Sequence, residues 1–155
     1  MTRKQMFLIA LGLFVLGAAL LYKTPGTTEG ETPTVVIAGV SLTIEYATTP
    51  STRARGLSGR AHVPEGYGMV FVFPKDDLHG FWMKDTLVPL DLFWLDAQGQ
   101  VVHVERDVAT STYPRVFYPE KPARYVLETA AGFARTHGIS IGMPVLLKNP
   151  PVVSK

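Results

Sequence analysis

Five charged side chains interrupt otherwise apolar blocks of this sequence: Arg60, Lys84, Asp91, Arg124 and Glu128. An isolated buried ion costs many kcal/mol, so each must find a partner or a ligand. Internal ion pairs are one solution, with Arg60 or Lys84 set against Asp91 to pin loops to a sheet. A cleft is the other. There Arg55, Arg60, Lys84 and Arg124 would meet an anionic or sugar ligand, and Asp91 and Glu128 would complete the polar set. Trp82 would add a flat apolar face.

Catalysis needs more than this set supplies on its own. Asp91 with Asp85 or Glu128 could provide the acid and base of a hydrolase acting on an envelope polymer, but sequence separation does not fix carboxyl spacing. Ser58, in Gly-Leu-Ser-Gly-Arg, misses the nucleophile-elbow pattern by one position, so no catalytic residue is assigned. His62, His79, His103 and His137 lack paired metal-ligand spacing, and only Asp76-Asp77-Leu78-His79 merits a metal test. Neither metal nor cofactor is expected. The absence of cysteine removes disulfides and thiolate chemistry together.

The elements that must position these residues read mostly as short strands. Thr34–Ile37 and Val40–Tyr46 flank Ala38-Gly39 as a hairpin, and Thr49-Pro50 opens a short helix that ends at Gly56. Met69–Phe73, Phe81–Lys84, Leu90–Leu95, Gln100–Val108, Arg124–Glu128 and Met143–Leu147 follow as strands, with a second helix in Thr129–His137. The fold class expected is α+β: a compact, mainly antiparallel, barrel-like sheet with two short helices. Consecutive strand residues face opposite sides, so Phe81 and Trp82 cannot share one core, and neither can Phe93 and Trp94. One of each pair must meet a loop, another chain or a ligand.

Charge is distributed by segment. The 155 residues carry a formal +2, but residues 34–149 balance eleven bases against eleven acids. A neutral domain lacks the basic face that nucleic acid demands. Residues 1–23 hold Arg3, Lys4 and Lys23 with no acid, around the apolar run 6–22. As a helix that run would be roughly 25 Å long, which suits a single membrane anchor or a cleaved signal peptide. Residues 24–33 read as a flexible linker, 34–149 as the domain, and 150–155 as a disordered tail. The membrane, through residues 6–22, is therefore an expected partner, and the expected location is the cell envelope, outside the cytoplasm.

Arg55-Gly56-Leu57-x-x-Arg60, Gly68-Met69-Val70-Phe71-x-Phe73-Pro74, Phe81-Trp82-Met83-Lys84-x-Thr86-Leu87-x-Pro89-Leu90-Asp91 and Pro122-Ala123-Arg124-Tyr125-Val126-Leu127-Glu128 occur in that order. Gly132 and Gly138-Ile139-x-x-Gly142 come after them. The pattern resembles the bacterial and archaeal family called domain of unknown function 192 over about residues 34–148. That resemblance implies a compact β-rich fold and an envelope location, and brings no established activity. Asp85 stands where relatives usually carry Asn, Ser58-Gly59 replaces a segment that often holds methionine, and Met143-Pro144 replaces a Gly-Asp step. A binding or accessory domain follows as the leading expectation, its partner a glycan, an anionic small ligand or an envelope protein. The hydrolase and a structural or assembly module are the alternatives.

Overall fold

The computed structural model describes residues 32–153. Seven strands form one sheet in the order β5-β4-β6-β3-β2-β1-β7. They are β1 (Thr34–Ile37), β2 (Val40–Ala47), β3 (Tyr67–Asp77), β4 (Leu90–Leu95), β5 (Val101–Val108), β6 (Ala123–Ala130) and β7 (Val145–Leu147). The β1–β2 hairpin turns on Ala38 and Gly39, both at positive φ, as a two-residue connection requires. Only β2 and β3 run parallel; every other strand pairing is antiparallel.

That parallel step needs a crossover, and α1 (Pro50–Arg55) supplies it. Thr49 caps α1, accepting from the Thr52 N–H at 3.1 Å while the Thr52 hydroxyl accepts from the Thr49 N–H at 3.0 Å. Pro50 occupies the first turn, where a missing N–H costs nothing, and Gly56 ends the helix with φ 49°. The second helix is shorter than the sequence suggests. β6 runs on to Ala130, and only Phe133–Thr136 is helical (α2), because strand pairing with β4 holds Glu128, Thr129 and Ala130 extended.

The sheet curls until its outer strands meet. Val101 N donates to Met143 O at 2.9 Å, Gly142 N to Val101 O at 2.7 Å, and Val145 N to Gly99 O at 2.8 Å. A Cβ on Gly99, at φ +80°, would fall 2.7 Å from the Val145 carbonyl oxygen, so this closure needs glycine. Curling divides the apolar residues into two clusters. Val35, Ile37, Leu42, Val70, Phe93, Leu95, Leu127 and Phe133 pack on one face. Met69, Phe71, Phe81, Met83, Leu92, Trp94 and Val126 pack on the other.

The alternation of Phe93 and Trp94 is thereby resolved: both are fully buried, one in each cluster. Phe81–Lys84 is not a strand. Phe81 makes one isolated bridge to Phe117, each N–H donating to the other's carbonyl at 2.9 and 2.8 Å. Trp82 is left half exposed, with its ring edge-on to Tyr113 at 6.0 Å. Past β7 the chain does not simply leave the surface: Val153 is partly buried against the first cluster, while Val152 is exposed. Residues 1–23 and most of the linker 24–33 lie outside the described residues, and among those described no helix is long and apolar enough to cross a membrane.

Candidate functional site

Glu128 sits in the middle of β6, opposite Met69 of β3 and Leu92 of β4. Its side chain therefore rises from the apolar face that carries Val126, Met69 and Leu92. It is 94% buried by complement of its 6% exposure, and its Oε2 has no hydrogen-bond partner. A buried polar atom without a partner is rare and costly in a folded protein. Burial pushes the Glu128 carboxyl up to about 8, against an opposing pull from the Arg60 guanidinium. At neutral pH the group is consequently a neutral acid able to donate its proton.

The carboxyl is a lining group of a cavity of about 230 Å³. Phe71, Phe73, Phe81 and Trp82 supply aromatic lining, and Gly56, Leu57 and Ser58 pass across it. Gly56 lies close against both the Phe71 ring and the carboxyl. A Cβ there would stand 3.1 Å from the Phe71 ring and 3.7 Å from Glu128 Oε2. Arg53, Arg55 and Lys84 bring three positive charges to the lining, and Glu128 is its one acid. Arg55 and Lys84 are exposed, which places them at the mouth.

Two loops make the walls, and they are tied together. Ser58 Oγ donates to Lys84 O at 2.9 Å, and Gly59 N donates to Asp85 O at 2.8 Å. Arg53 anchors α1 to β3 by donating from Nη1 to Thr48 O at 2.6 Å and to Val72 O at 2.9 Å. Its guanidinium also lies 5.2 Å from the centre of the Phe73 ring. The walls are thus held before any ligand arrives. A larger hollow, about 470 Å³, lies against Val36, Met143, Pro144 and Leu146, but no ionisable side chain lines it.

Of the seven residues the sequence singles out, Arg55, Trp82, Lys84 and Glu128 meet at this cavity. Arg60, Asp91 and Arg124 do not line it. Arg60 bonds Glu45 at 2.8 Å and the Tyr67 hydroxyl at 2.9 Å. That guanidinium holds the Glu45 carboxyl below the usual carboxylate range, while burial first, then the bond to Glu45, raises Tyr67 to about 12. Arg124 pairs with Asp76 at 2.6 Å.

Asp91 is fully buried and pairs with neither Arg60 nor Lys84. Its Oδ1 accepts from Asp107 N and its Oδ2 from Ala134 N, each at 2.7 Å. Asp85 contributes a backbone carbonyl to the loop tie, and its carboxyl does not line the cavity. The pairing of Asp91 with Asp85 or Glu128 is therefore not assembled at this cavity. His79 stacks on Phe73 with ring centres 3.5 Å apart, and burial lowers its pKa. Among the described residues no three His, Asp or Glu side chains come together as a metal site.

Sequence reasoning missed Arg53, Phe71, Phe73 and Gly56 as lining residues. The Arg-Gly-Leu-Ser-Gly-Arg turn was the available signal, since a glycine between basic residues marks a loop that can approach another group closely.

The fold and this cavity define a class: a curled β-domain with one aromatic-walled, cation-rimmed pocket over a buried acid. The chain belongs to the domain of unknown function 192 family, described as uncharacterized ACR, which matches residues 34–147. A UPF0127 protein of Thermococcus gammatolerans is 33% identical over 104 residues, 64% of this chain and 62% of that one. A UPF0127 protein of Pyrococcus abyssi is 30% identical over 82 residues, 50% of this chain and 64% of that one. This chain thus spans less than two thirds of the length of either relative. Among solved structures, a Sinorhizobium meliloti 1021 protein provisionally described as a transcription regulator superposes with a TM-score of 0.68 at 28% identity, over 73% of this chain and 89% of that one. A Novosphingobium aromaticivorans protein of unknown function gives 0.67 at 28% identity, over 73% and 82%.

Proposed function

We propose that this protein is an extracytoplasmic binding or accessory domain that takes a small ligand into the cavity over Glu128. Residues 6–22 would tether it to a membrane or direct its export. One observation carries the binding reading: Glu128 Oε2 is buried and unpartnered on a residue that lines a cavity. An orphaned polar atom is an unfilled hydrogen-bonding position, and a ligand is what would fill it. Only one carboxyl lines the cavity, so binding is better supported than two-carboxylate hydrolysis. The transcription-regulator description of the Sinorhizobium relative does not carry over readily. Residues 34–149 are neutral overall, which gives phosphate backbones little to hold.

The test is a thermal-shift screen of the full chain against glycans, peptidoglycan fragments, nucleotides and divalent metals. A ligand present at 100 times its Kd stabilises by about 2.7 kcal/mol, well within detection. The expected hit raises the Tm of the wild type and loses most of that rise in Trp82→Ala. A flat panel would overturn the reading in favour of a structural or assembly module.

A further inference from the structure

The cavity has an electrostatic imbalance that specifies its occupant. Arg53, Arg55 and Lys84 bring three positive charges, and Glu128 is the one acid that could answer them. It does not answer them. Its Oε2 has no hydrogen-bond partner, and burial keeps the proton on at neutral pH. The lining thus offers cations at the mouth with no answering negative charge of its own, and an O–H inside with no acceptor among the lining side chains.

Other ligand classes satisfy only one of these. An amine would pair with an ionised Glu128 but would be repelled by Arg55 and Lys84 as it entered. A neutral sugar would accept the proton and leave the cations unanswered. An anion meets both demands at once, and the aromatic walls favour a flat or ring-shaped body. Size limits it further. About 230 Å³ lies below the roughly 300–1,000 Å³ of drug-sized pockets, so one ring with its charged group fills it.

We propose, resting on the binding reading above, that the ligand is a single-ring organic carboxylate. Its charged group lies between Arg55 and Lys84, its ring against Trp82, and an acceptor oxygen takes the Glu128 proton. Binding is consequently coupled to the protonation of that acid. The charged groups around Glu128 are Arg53 and Arg55 of α1, Arg60 of the loop that follows, and Lys84. The facing residues of β3 and β4 are Met69, Phe71 and Leu92, which bring no charge. These charges are positive and pull the Glu128 pKa down against the burial that raises it, and the Arg60 charge is itself answered by Glu45 of β2 at 2.8 Å.

Calorimetry on the full chain with two matched sets tests this: glucuronate, glucose and glucosamine, then benzoate, benzyl alcohol and benzylamine. The expected result is that the carboxylate of at least one set binds about tenfold or more tightly than its neutral and amine counterparts. Its affinity should be flat from pH 6 to 7 and fall toward tenfold per pH unit above about pH 8. Glu128→Gln cannot ionise, so whatever affinity it retains should lack the alkaline fall. Lys84→Met should lose about tenfold for the carboxylate alone. Tighter binding by an amine or a neutral probe, or affinity that rises with pH, overturns the anion proposal and leaves the cavity reading standing. Silence from all six at millimolar concentration overturns both.

Discussion

A buried carboxyl with no partner lowers stability unless something uses it, and Glu128 is such a residue. Its cost depends on pH in a definite direction. In the unfolded chain the group ionises near its ordinary 4.5, whereas in the fold it holds its proton to about 8. Between those values the folded state binds more protons than the unfolded one, so stability falls as pH rises. Below about pH 4 both states are protonated and the penalty is absent; above about pH 8 it is complete. At 1.36 kcal/mol per pH unit, the full loss is on the order of 5 kcal/mol. Glu128→Gln cannot ionise and should lack this slope. Urea titrations at pH 5 and pH 8 should show the variant gaining several kcal/mol on the wild type between them. Parallel stability curves for the two proteins would show that Glu128 is solvated or partnered in solution.

Asp91 shows how one side chain can organise elements. From the start of β4 it accepts the N–H of Asp107, where β5 bulges against β4, and the N–H of Ala134 in the first turn of α2. A side-chain oxygen that accepts from a helix N-terminal amide satisfies a donor the helix itself leaves unpaired. Asp107 is at φ 50° and pairs with Arg135 of α2, so strand, bulge and helix form one knot. Asp91→Ala leaves two buried N–H groups unpaired and should cost about 3–5 kcal/mol by chemical denaturation. Asp91→Asn keeps one acceptor oxygen and should cost less. Neither should alter ligand affinity per folded molecule, because Asp91 does not line the cavity. A large loss of affinity at unchanged stability would return Asp91 to the site. The sequence marked Asp91 as a charge in an apolar block, which was legible; its partners were not, because backbone amides leave no signature in side-chain spacing. The strands and α1 were legible for the opposite reason, since period-two alternation and a Thr-Pro cap are local. Glu128 and Trp82 were visible as types, but their meeting depends on β6 lying beside β3 and on a crossover returning Gly56 over both. That is long-range topology, and no window of sequence contains it.

At the scale of the whole molecule, the charge of the chain is informative only by segment. Residues 34–149 are balanced at eleven bases and eleven acids, while Arg3, Lys4 and Lys23 flank the apolar run 6–22 without any acid. Positive residues ahead of such a run favour its cytoplasmic side, which would send the chain beyond it outward. Orientation can be read directly. The full chain expressed in a bacterium should pellet with membranes if residues 6–22 are retained, or appear in the periplasmic fraction if they are cleaved. In either case, protease added to permeabilised outer membranes should reach the domain while cytoplasmic markers survive. Replacing Arg3 and Lys4 with Glu removes the orienting charge and should reduce the protease-accessible fraction several-fold. A domain that stays protected in intact spheroplasts, with or without that substitution, would place it in the cytoplasm and leave the cavity chemistry to be explained by an intracellular ligand.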